Sequence, residues 1–326
     1  MTGGAAGPRR ALLTGGTGFI GTNLTDALLA AGREVLVIAR RPPRHQPHRR
    51  CFVEADVLDR DRLRRIVRDF GPTDIVHLAA QTDFVTWEDA DGFRVNTEGT
   101  ANVIRVAEEM PTVERFVFAS SHVVAGRRPT GRRVYADSKR AGEEIVRGRP
   151  PHGPVWTIVR PCSIWGPWFG PPFRPFFLAI ARGRYFHPGR VDPPKRTGFV
   201  GNICHQVIRL LDAPAPAVAG RTIYLADYEP IRIREWAELI ARRMGRPILR
   251  TLPEPAVRAG ALAGDLLQRL GVRNPPLSSH RLANMRLDTS DIPIDDIARI
   301  AGRLPFTLER GVDATVRWLR ESRLVA

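Results

Sequence analysis

Six short apolar segments interleaved with four helix-length segments occupy the first half of the chain and restrict it to a parallel α/β arrangement. Segments 11–13 (ALL), 34–39 (EVLVIA), 52–55 (FVEA), 74–80 (DIVHLAA), 115–121 (RFVFASS) and 155–160 (VWTIVR) read as strands. Helices are expected over 19–31, closed by Gly32, and over 59–70, stopped by Gly71-Pro72. Two more are expected over 91–110, closed by Pro111, and over 135–147. The strands do not alternate cleanly between apolar and polar residues, so the sheet should be covered on both faces. The expected class is α/β, a doubly wound parallel sheet followed by a smaller, mostly helical C-terminal lobe.

At 326 residues the chain is long enough for two lobes. The first is expected over 1–168, with 198–227 returning to it, and the second over 169–197 and 228–326. An aromatic and proline-rich stretch, 165–177, is either a loop packed by its own side chains or a wall for a substrate. Further on, 198–211, 222–226, a helix over 233–244 and a terminal helix over 308–322 continue the pattern. Segment 256–270 reads as an amphipathic helix whose apolar face belongs in a core rather than on a membrane surface. No apolar run approaches the ~20 residues of a membrane span, and residues 1–10 lack the apolar stretch of a signal peptide. Cys51, Cys162 and Cys204 are odd in number and widely spaced. They offer neither a disulfide framework nor a metal set, which suits a reducing cytoplasm. The net charge of +16 comes from arginines spread along the whole chain. It therefore points to anionic small ligands rather than to nucleic acid.

The segment Thr14-Gly15-Gly16-Thr17-Gly18-Phe19-Ile20-Gly21 lies between the first strand and the first helix. There, Gly15 allows a tight turn, Gly18 allows close approach of a pyrophosphate, and Gly21 allows close helix packing. The helix N-terminus adds N–H donors and a positive dipole. This is the Rossmann dinucleotide pattern, with Gly15, Thr17, Gly18, Phe19, Ile20 and Gly21 expected to hold the cofactor. An acidic residue ending the second strand would take the ribose hydroxyl of NAD; the chain has Ala39-Arg40-Arg41 instead. Arg40 suits a 2′-phosphate, so NADP is expected, with NAD as the alternative. Asp56 is placed either to meet the adenine amino group or to cap the next turn.

Of 50 basic Lys and Arg residues only two, Lys139 and Lys195, are lysine. In a chain so biased towards arginine, a retained lysine marks a place where a planar, permanently charged fork will not serve. Lys139 follows Tyr135 by four residues, so the two share one helix face. A nearby ammonium favours the phenolate and turns a poor acid–base with pKa ~10 into a usable one.

Taken together, TGGTGFIG at 14–21, HLAA at 77–80, Asn96-Thr-Glu-Gly-Thr100, FVFASS at 116–121, YADSK at 135–139 and Arg160-Pro161 with Trp165-Gly166-Pro167 resemble the extended short-chain dehydrogenases/reductases, the NAD-dependent epimerase/dehydratase branch. Looser matches follow at Phe199-Val200-Gly201-Asn202 and Tyr224-Leu225-Ala226-Asp227. The resemblance implies that Tyr135 exchanges a proton with the substrate oxygen and that Lys139 also binds the nicotinamide ribose. It selects Ser121, five before Gly126, over Ser120 as the hydroxyl that holds the same oxygen. It also implies Val57, Leu78, Ala79, Ala80 and Pro161 beside the cofactor, and Gln81 and His122 beside the substrate. Lys195, with Arg281 as a weaker candidate, corresponds to the cation that meets a substrate diphosphate. A homodimer through 91–110 and 135–147 is implied as well.

The chain departs from the family in two places. The Ser121-to-Tyr135 gap is short and basic, Arg127 to Arg133. Ser120 and His122 stand where dehydratases carry an Asp-Glu pair, which argues against dehydration. Cys162 suits packing more than nucleophilic attack. The implied activity is NAD(P)-dependent oxidation or reduction of a carbonyl/hydroxyl pair, foremost on a nucleotide-linked sugar. The alternatives are a sugar-nucleotide epimerase holding NAD tightly, a reductase of a steroid- or flavonoid-like ketone, and a non-catalytic nucleotide-sensing relative. Such relatives typically lose the Tyr/Lys pair.

Overall fold

The computed structural model describes residues 9–82, 90–126, 133–149, 152–247, 249–272, 275 and 277–325. The basic loop 127–132 lies outside the described residues. The chain divides into two compact units. The first comprises Met1–Ile164, Val200–Ala226 and Pro293–Pro305. The stretch 293–305 therefore folds with the sheet unit, not with the C-terminal lobe expected from sequence. There, Arg221 reaches Asp296 at 2.5 Å and Ala301 O accepts from His205, tying this stretch to the unit by polar contacts that apolar periodicity cannot reveal.

The sheet of the first unit has seven parallel strands: β1 (Arg10–Thr14), β2 (Glu34–Ala39), β3 (Phe52–Glu54), β4 (Asp74–His77), β5 (Arg115–Ala119), β6 (Val155–Pro161) and β7 (Arg221–Leu225). Their spatial order is β3-β2-β1-β4-β5-β6-β7. The direction of winding reverses between β1 and β4, which is where a doubly wound sheet opens a crevice at its strand C-termini. The pair Thr14↔His77 sits at that end. Helices α1 (Phe19–Ala30), α2 (Arg60–Phe70), α3 (Arg94–Glu108) and α4 (Arg133–Arg147) form the early crossovers. Leu12, Ile75, Phe116 and Ile158 of the sheet pack against Val103, Ile104 and Ala107 of α3, all essentially excluded from water. α2 starts where Asp59 accepts from Arg62 N at 3.0 Å, and it stops at Gly71, whose φ of 58° only glycine adopts freely.

Two strands end earlier than expected. β4 stops at His77 because Leu78 N turns to Thr14 O and Ala79 N to Thr14 Oγ1. β5 stops at Ala119 because Ser121 caps a short 3-10 turn over His122–Ala125. Both ends become loops at the crevice.

The second unit comprises Trp165–Phe199, Asp227–Ile292 and Phe306–Ala326. Its helices are Phe173–Ala181, Ile233–Arg243, Glu254–Arg269, Ser279–Met285 and Leu308–Glu321. The aromatic stretch is its core. Trp165, Phe169, Phe177 and Trp236 are buried, with Trp165 and Trp236 ring centroids 5.0 Å apart and Phe169 and Phe177 at 5.3 Å. A Cβ on Gly311 would come within 2.8 Å of the Trp165 ring, so that helix can approach only with glycine there. Of the two roles the sequence allows for 165–177, these residues take the packed one. The Glu254–Arg269 helix departs from expectation: its leucines face outward, because Gly264 holds its inner side against the Leu277 carbonyl. None of the described helices is long and apolar enough to cross a membrane.

Candidate active site

The glycine loop is dictated by backbone contacts. Gly15 has φ +69°, and a Cβ there would sit 2.6 Å from Ala79 N and 2.7 Å from Ala79 Cα. No side chain fits between the end of β1 and the loop after β4. A Cβ on Gly21 would meet Gly16 Cα at 2.4 Å, so this glycine lets α1 close onto the loop itself. Gly18 is different: a Cβ there would touch only Gly15 O, at 3.2 Å. It is the N-cap of α1, in extended conformation and with no side-chain cap. A helix start left without a side-chain acceptor is suited to receive an anion.

His77 anchors this end of the sheet. It is buried, with Nδ1 2.6 Å from Thr14 Oγ1 and Nε2 3.1 Å from Thr100 Oγ1. Its ring stacks on Phe118 at 5.8 Å. Burial, helped by the Lys139 ammonium, pushes its imidazole down to about 3 from an ordinary 6.5. Below pH 6.5 the unfolded chain takes up a proton that the folded one refuses. Stability is therefore expected to fall between pH 6.5 and 3, by roughly 4–5 kcal/mol in all. Denaturant titrations across that range should show the slope shrinking in His77→Asn.

Asn96 joins the loop after β4 to the helix carrying Tyr135. Its side chain is buried, accepts from Gln81 N at 2.7 Å and donates to Gln81 O at 3.1 Å. It also donates to Ser138 Oγ at 2.9 Å, and Ser138 Oγ donates to Tyr135 O at 2.8 Å. Gln81 is thus held through its backbone.

Tyr135 and Lys139 lie on α4 as expected. The Tyr135 ring, half-buried, is 6.3 Å from Phe93. Lys139 is 3 % exposed; its Nζ donates to Ala119 O, the last residue of β5, at 2.7 Å and lies 5.2 Å from the Phe118 ring. That bond fixes α4 against the strand end from which Ser121 follows. Burial lowers the Lys139 ammonium to about 8, with Glu143 one turn on opposing the shift. Ser121, half-buried, accepts from Val123 N at 3.5 Å.

Ser120 points the other way. Its Oγ donates to Glu143 Oε1 at 2.5 Å. Glu143 is fully buried and also receives Arg160 through both oxygens, at 2.8 and 2.7 Å, and Arg147 at 2.9 Å. Burial pushes its carboxyl up, but the Arg160, Ser120 and Arg147 bonds outweigh this and hold it below its usual range. The cluster clamps α4 to β5 and β6. Glu143→Ala, which removes the carboxylate from Arg160 and leaves it, among the described residues, only the Tyr224 hydroxyl at 3.0 Å, is expected to destabilise the protein by about 3 kcal/mol in thermal or urea unfolding. Glu143 does not draw attention from sequence, and Asn96 does so only as the first residue of the motif over 96–100, with no role assigned to it. The available signal for Glu143 was its i,i+4 spacing from Lys139.

The other candidates fall as follows. Arg40 is exposed directly after β2. Asp56 accepts from Leu58 N at 3.0 Å in a tight turn, while Asp59 serves as the helix cap. Val57 is buried and its carbonyl accepts from Asn102 Nδ2 at 3.0 Å. Leu78, Ala79 and Ala80 are half-buried in the loop after β4. His122 Nδ1 is 3.2 Å from the carbonyl oxygen of Pro161, which is buried. Cys162 is buried, and its N–H donates to Leu225 O. In the second unit, Lys195 is buried and donates to the carbonyls of Asn284, at 2.9 Å, and Leu287. Arg196 donates to the carbonyls of Ser290, Asp227 and Tyr228. Arg281 is exposed on the Ser279–Met285 helix.

A family model described as the NAD dependent epimerase/dehydratase family matches residues 11–184. A ceramide reductase of Caulobacter vibrioides is 34% identical over 322 residues, covering 94% of this chain and 93% of its own. A 3-beta-hydroxysteroid dehydrogenase of Mycolicibacterium neoaurum is 29% identical over 308 residues, covering 84% and 82%. Among solved structures, a UDP-glucose 4-epimerase with UDP-glucose from Thermotoga maritima superimposes with a TM-score of 0.73 at 17% identity, covering 96% and 99%. That likeness is one of fold.

Proposed function

Because the chain belongs to the NAD dependent epimerase/dehydratase family, we propose that it is a reductase or dehydrogenase acting on a carbonyl/hydroxyl pair of an apolar, lipid-like molecule. The observation that carries the substrate class is the state of the second unit's lysine. Lys195, expected to meet a diphosphate, directs its ammonium to carbonyls in the last turn of the Ser279–Met285 helix and just beyond it, those of Asn284 and Leu287. Its neighbour Arg196 directs its fork to three more carbonyls. The two relatives described above as similar in sequence are named for apolar substrates, a steroid and a ceramide. A nucleotide-linked sugar is the second reading; the exposed Arg281 and the fold shared with the Thermotoga epimerase favour it.

The residues present fit a dinucleotide. Of the three glycines Gly18 is the least crowded, with Gly15 O alone near its Cβ position at 3.2 Å, whereas Gly15 and Gly21 are compressed by backbone. Gly15, Thr17, Gly18, Phe19, Ile20 and Gly21 would hold the pyrophosphate, with Asp56, Val57, Leu78, Ala79, Ala80 and Pro161 flanking the rest. Bound there, a nicotinamide supplies or accepts the hydride. Tyr135 moves the proton at the substrate oxygen, and Ser121 donates to that oxygen. The Lys139 ammonium, held in place by Ala119 O, stabilises the negative charge that develops there. Gln81 and His122 line the substrate side. A homodimer through α3 and α4 belongs to the same reading.

The cofactor is assigned as NADP, with Arg40 pairing to the 2′-phosphate. Arg40→Ala is expected to weaken NADPH binding by about tenfold or more while leaving NADH binding nearly unchanged. Fluorescence titration of both cofactors reads this directly. Screening steroid-like and long-chain ketones beside keto-sugar nucleotides for cofactor oxidation tests the substrate class. Turnover of the sugars alone sinks the apolar reading, and binding of neither cofactor sinks the oxidoreductase.

A further inference from the structure

The Glu254–Arg269 helix is built inside out. Its inward side consists of small residues: Val257 and Ala261 are buried against Leu282, Leu252 and Leu277. A Cβ on Gly264 would come within 2.8 Å of the Leu277 carbonyl carbon and would overlap its oxygen. The helix therefore meets its support backbone to backbone and cannot roll to bury anything larger. Its leucines lie on the opposite side. Leu262 is 66% exposed, Leu266 57% and Leu270, the C-cap residue, 72%. At 3.6 residues per turn, Ala259, Leu262, Ala263, Leu266, Leu267 and Leu270 form one outward stripe roughly 140° wide, with no polar residue inside it. The helix of 16 residues is about 24 Å long. A surface helix ordinarily shows the reverse pattern, and an apolar stripe of this size marks a contact surface.

The charges around the stripe select what covers it. Arg258 and Arg269 border it on one side, both exposed. The two acidic residues lie beyond these arginines on the same flank and are already engaged, Glu254 by Arg286 at 2.6 Å and by Arg258 at 3.0 Å, and Asp265 by Ser279 N at 2.9 Å, which leaves Arg269 as the border cation with no ion pair of its own among the described residues. A wide apolar face edged by arginine, on a chain of net charge +16, matches an interfacial helix on an anionic bilayer. A second copy would set arginine against arginine and carry the same excess of charge, which disfavours self-association through this face.

We propose that the Glu254–Arg269 helix lies in the surface of an anionic membrane, its leucines among the acyl chains and its arginines at the headgroups. The inference is independent of the substrate assignment, because it concerns adsorption and not turnover. The test is flotation of the full-length protein with vesicles of equimolar phosphatidylglycerol and phosphatidylcholine, beside vesicles of phosphatidylcholine alone. The wild type is expected to float with the anionic vesicles and much less with the neutral ones. The triple variant Leu262→Ser, Leu266→Ser, Leu270→Ser is expected to bind on the order of a hundredfold more weakly with an unchanged melting temperature, since all three side chains are exposed. Arg269→Glu, at another exposed position, gives an independent arm: it should weaken binding to anionic vesicles only. Equal flotation of wild type and triple variant overturns the proposal. So does a wild type that does not float, including one whose sedimentation shows a dimer that the serine variant abolishes.

Discussion

Arginine in place of Lys139 is expected to cut turnover by about a thousandfold or more while conserving charge. The ammonium occupies a site 3 % exposed, bonded to Ala119 O at 2.7 Å and close to the Phe118 ring. A guanidinium is larger, planar and never neutral, and it brings five N–H donors where one carbonyl acceptor is provided. It would push α4 away from the end of β5 and misplace Tyr135 relative to Ser121. Lys139→Met separates function from fold: it keeps the length and removes the charge. Because burying an ammonium is costly, this variant should match or exceed the wild type in thermal stability and still be nearly inactive. The pH dependence has a fixed sign. The folded-state value is depressed to about 8 from 10.5, so the cost of burial is fully present below pH 8 and fades as pH rises towards 10.5. The stability gap between wild type and Lys139→Met should narrow over that window. A Lys139→Met enzyme that turns over normally would remove the lysine from the mechanism.

Gly15→Ala is expected to abolish measurable cofactor binding, raising the dissociation constant by at least about a hundredfold. A Cβ at this position lies 2.6 Å from a backbone nitrogen and 2.7 Å from a backbone Cα, and neither can move aside as a flexible side chain would. Relief requires displacing Leu78 and Ala79, which are tied to Thr14. The strained φ of +69° adds to this, and together they should cost roughly 2–4 kcal/mol of stability. Gly32→Ala is the matched control: φ is +75° but nothing lies within 4 Å. It should lose only about 1 kcal/mol and bind cofactor normally. Titration of NADPH against both variants, with melting curves, decides whether crowding or φ alone makes Gly15 indispensable.

Lys139 and Gly15 are both legible in the amino-acid sequence because what marks them is local. The glycine spacing after a strand, and a tyrosine and lysine one turn apart, are short-range patterns that secondary structure converts directly into geometry. The alternation of apolar strands with helices likewise leads to a doubly wound parallel sheet. The network that braces the site is not legible in this way. Asn96 and Ser138 are 42 positions apart, and Glu143 and Arg160 lie on different elements. His77 looks like any strand histidine until Thr14 and Thr100 are brought to its two nitrogens. Nothing in the spacing of Lys195 announces that carbonyls 89 and 92 positions downstream will take its ammonium.

The Glu254–Arg269 segment marks the same boundary. Its composition and periodicity determine an amphipathic helix, but periodicity cannot tell which side meets the protein. That was decided by Gly264 and the Leu277 carbonyl, a contact between backbones that carries no side-chain pattern. The amino-acid sequence by itself therefore determined the class of fold, the glycine-rich loop after β1 and the one-turn spacing of Tyr135 and Lys139, because each depends on neighbours within a few residues. Tertiary structure alone decided which polar groups are satisfied by distant backbone and which apolar face stays open, because those depend on where remote segments come to rest.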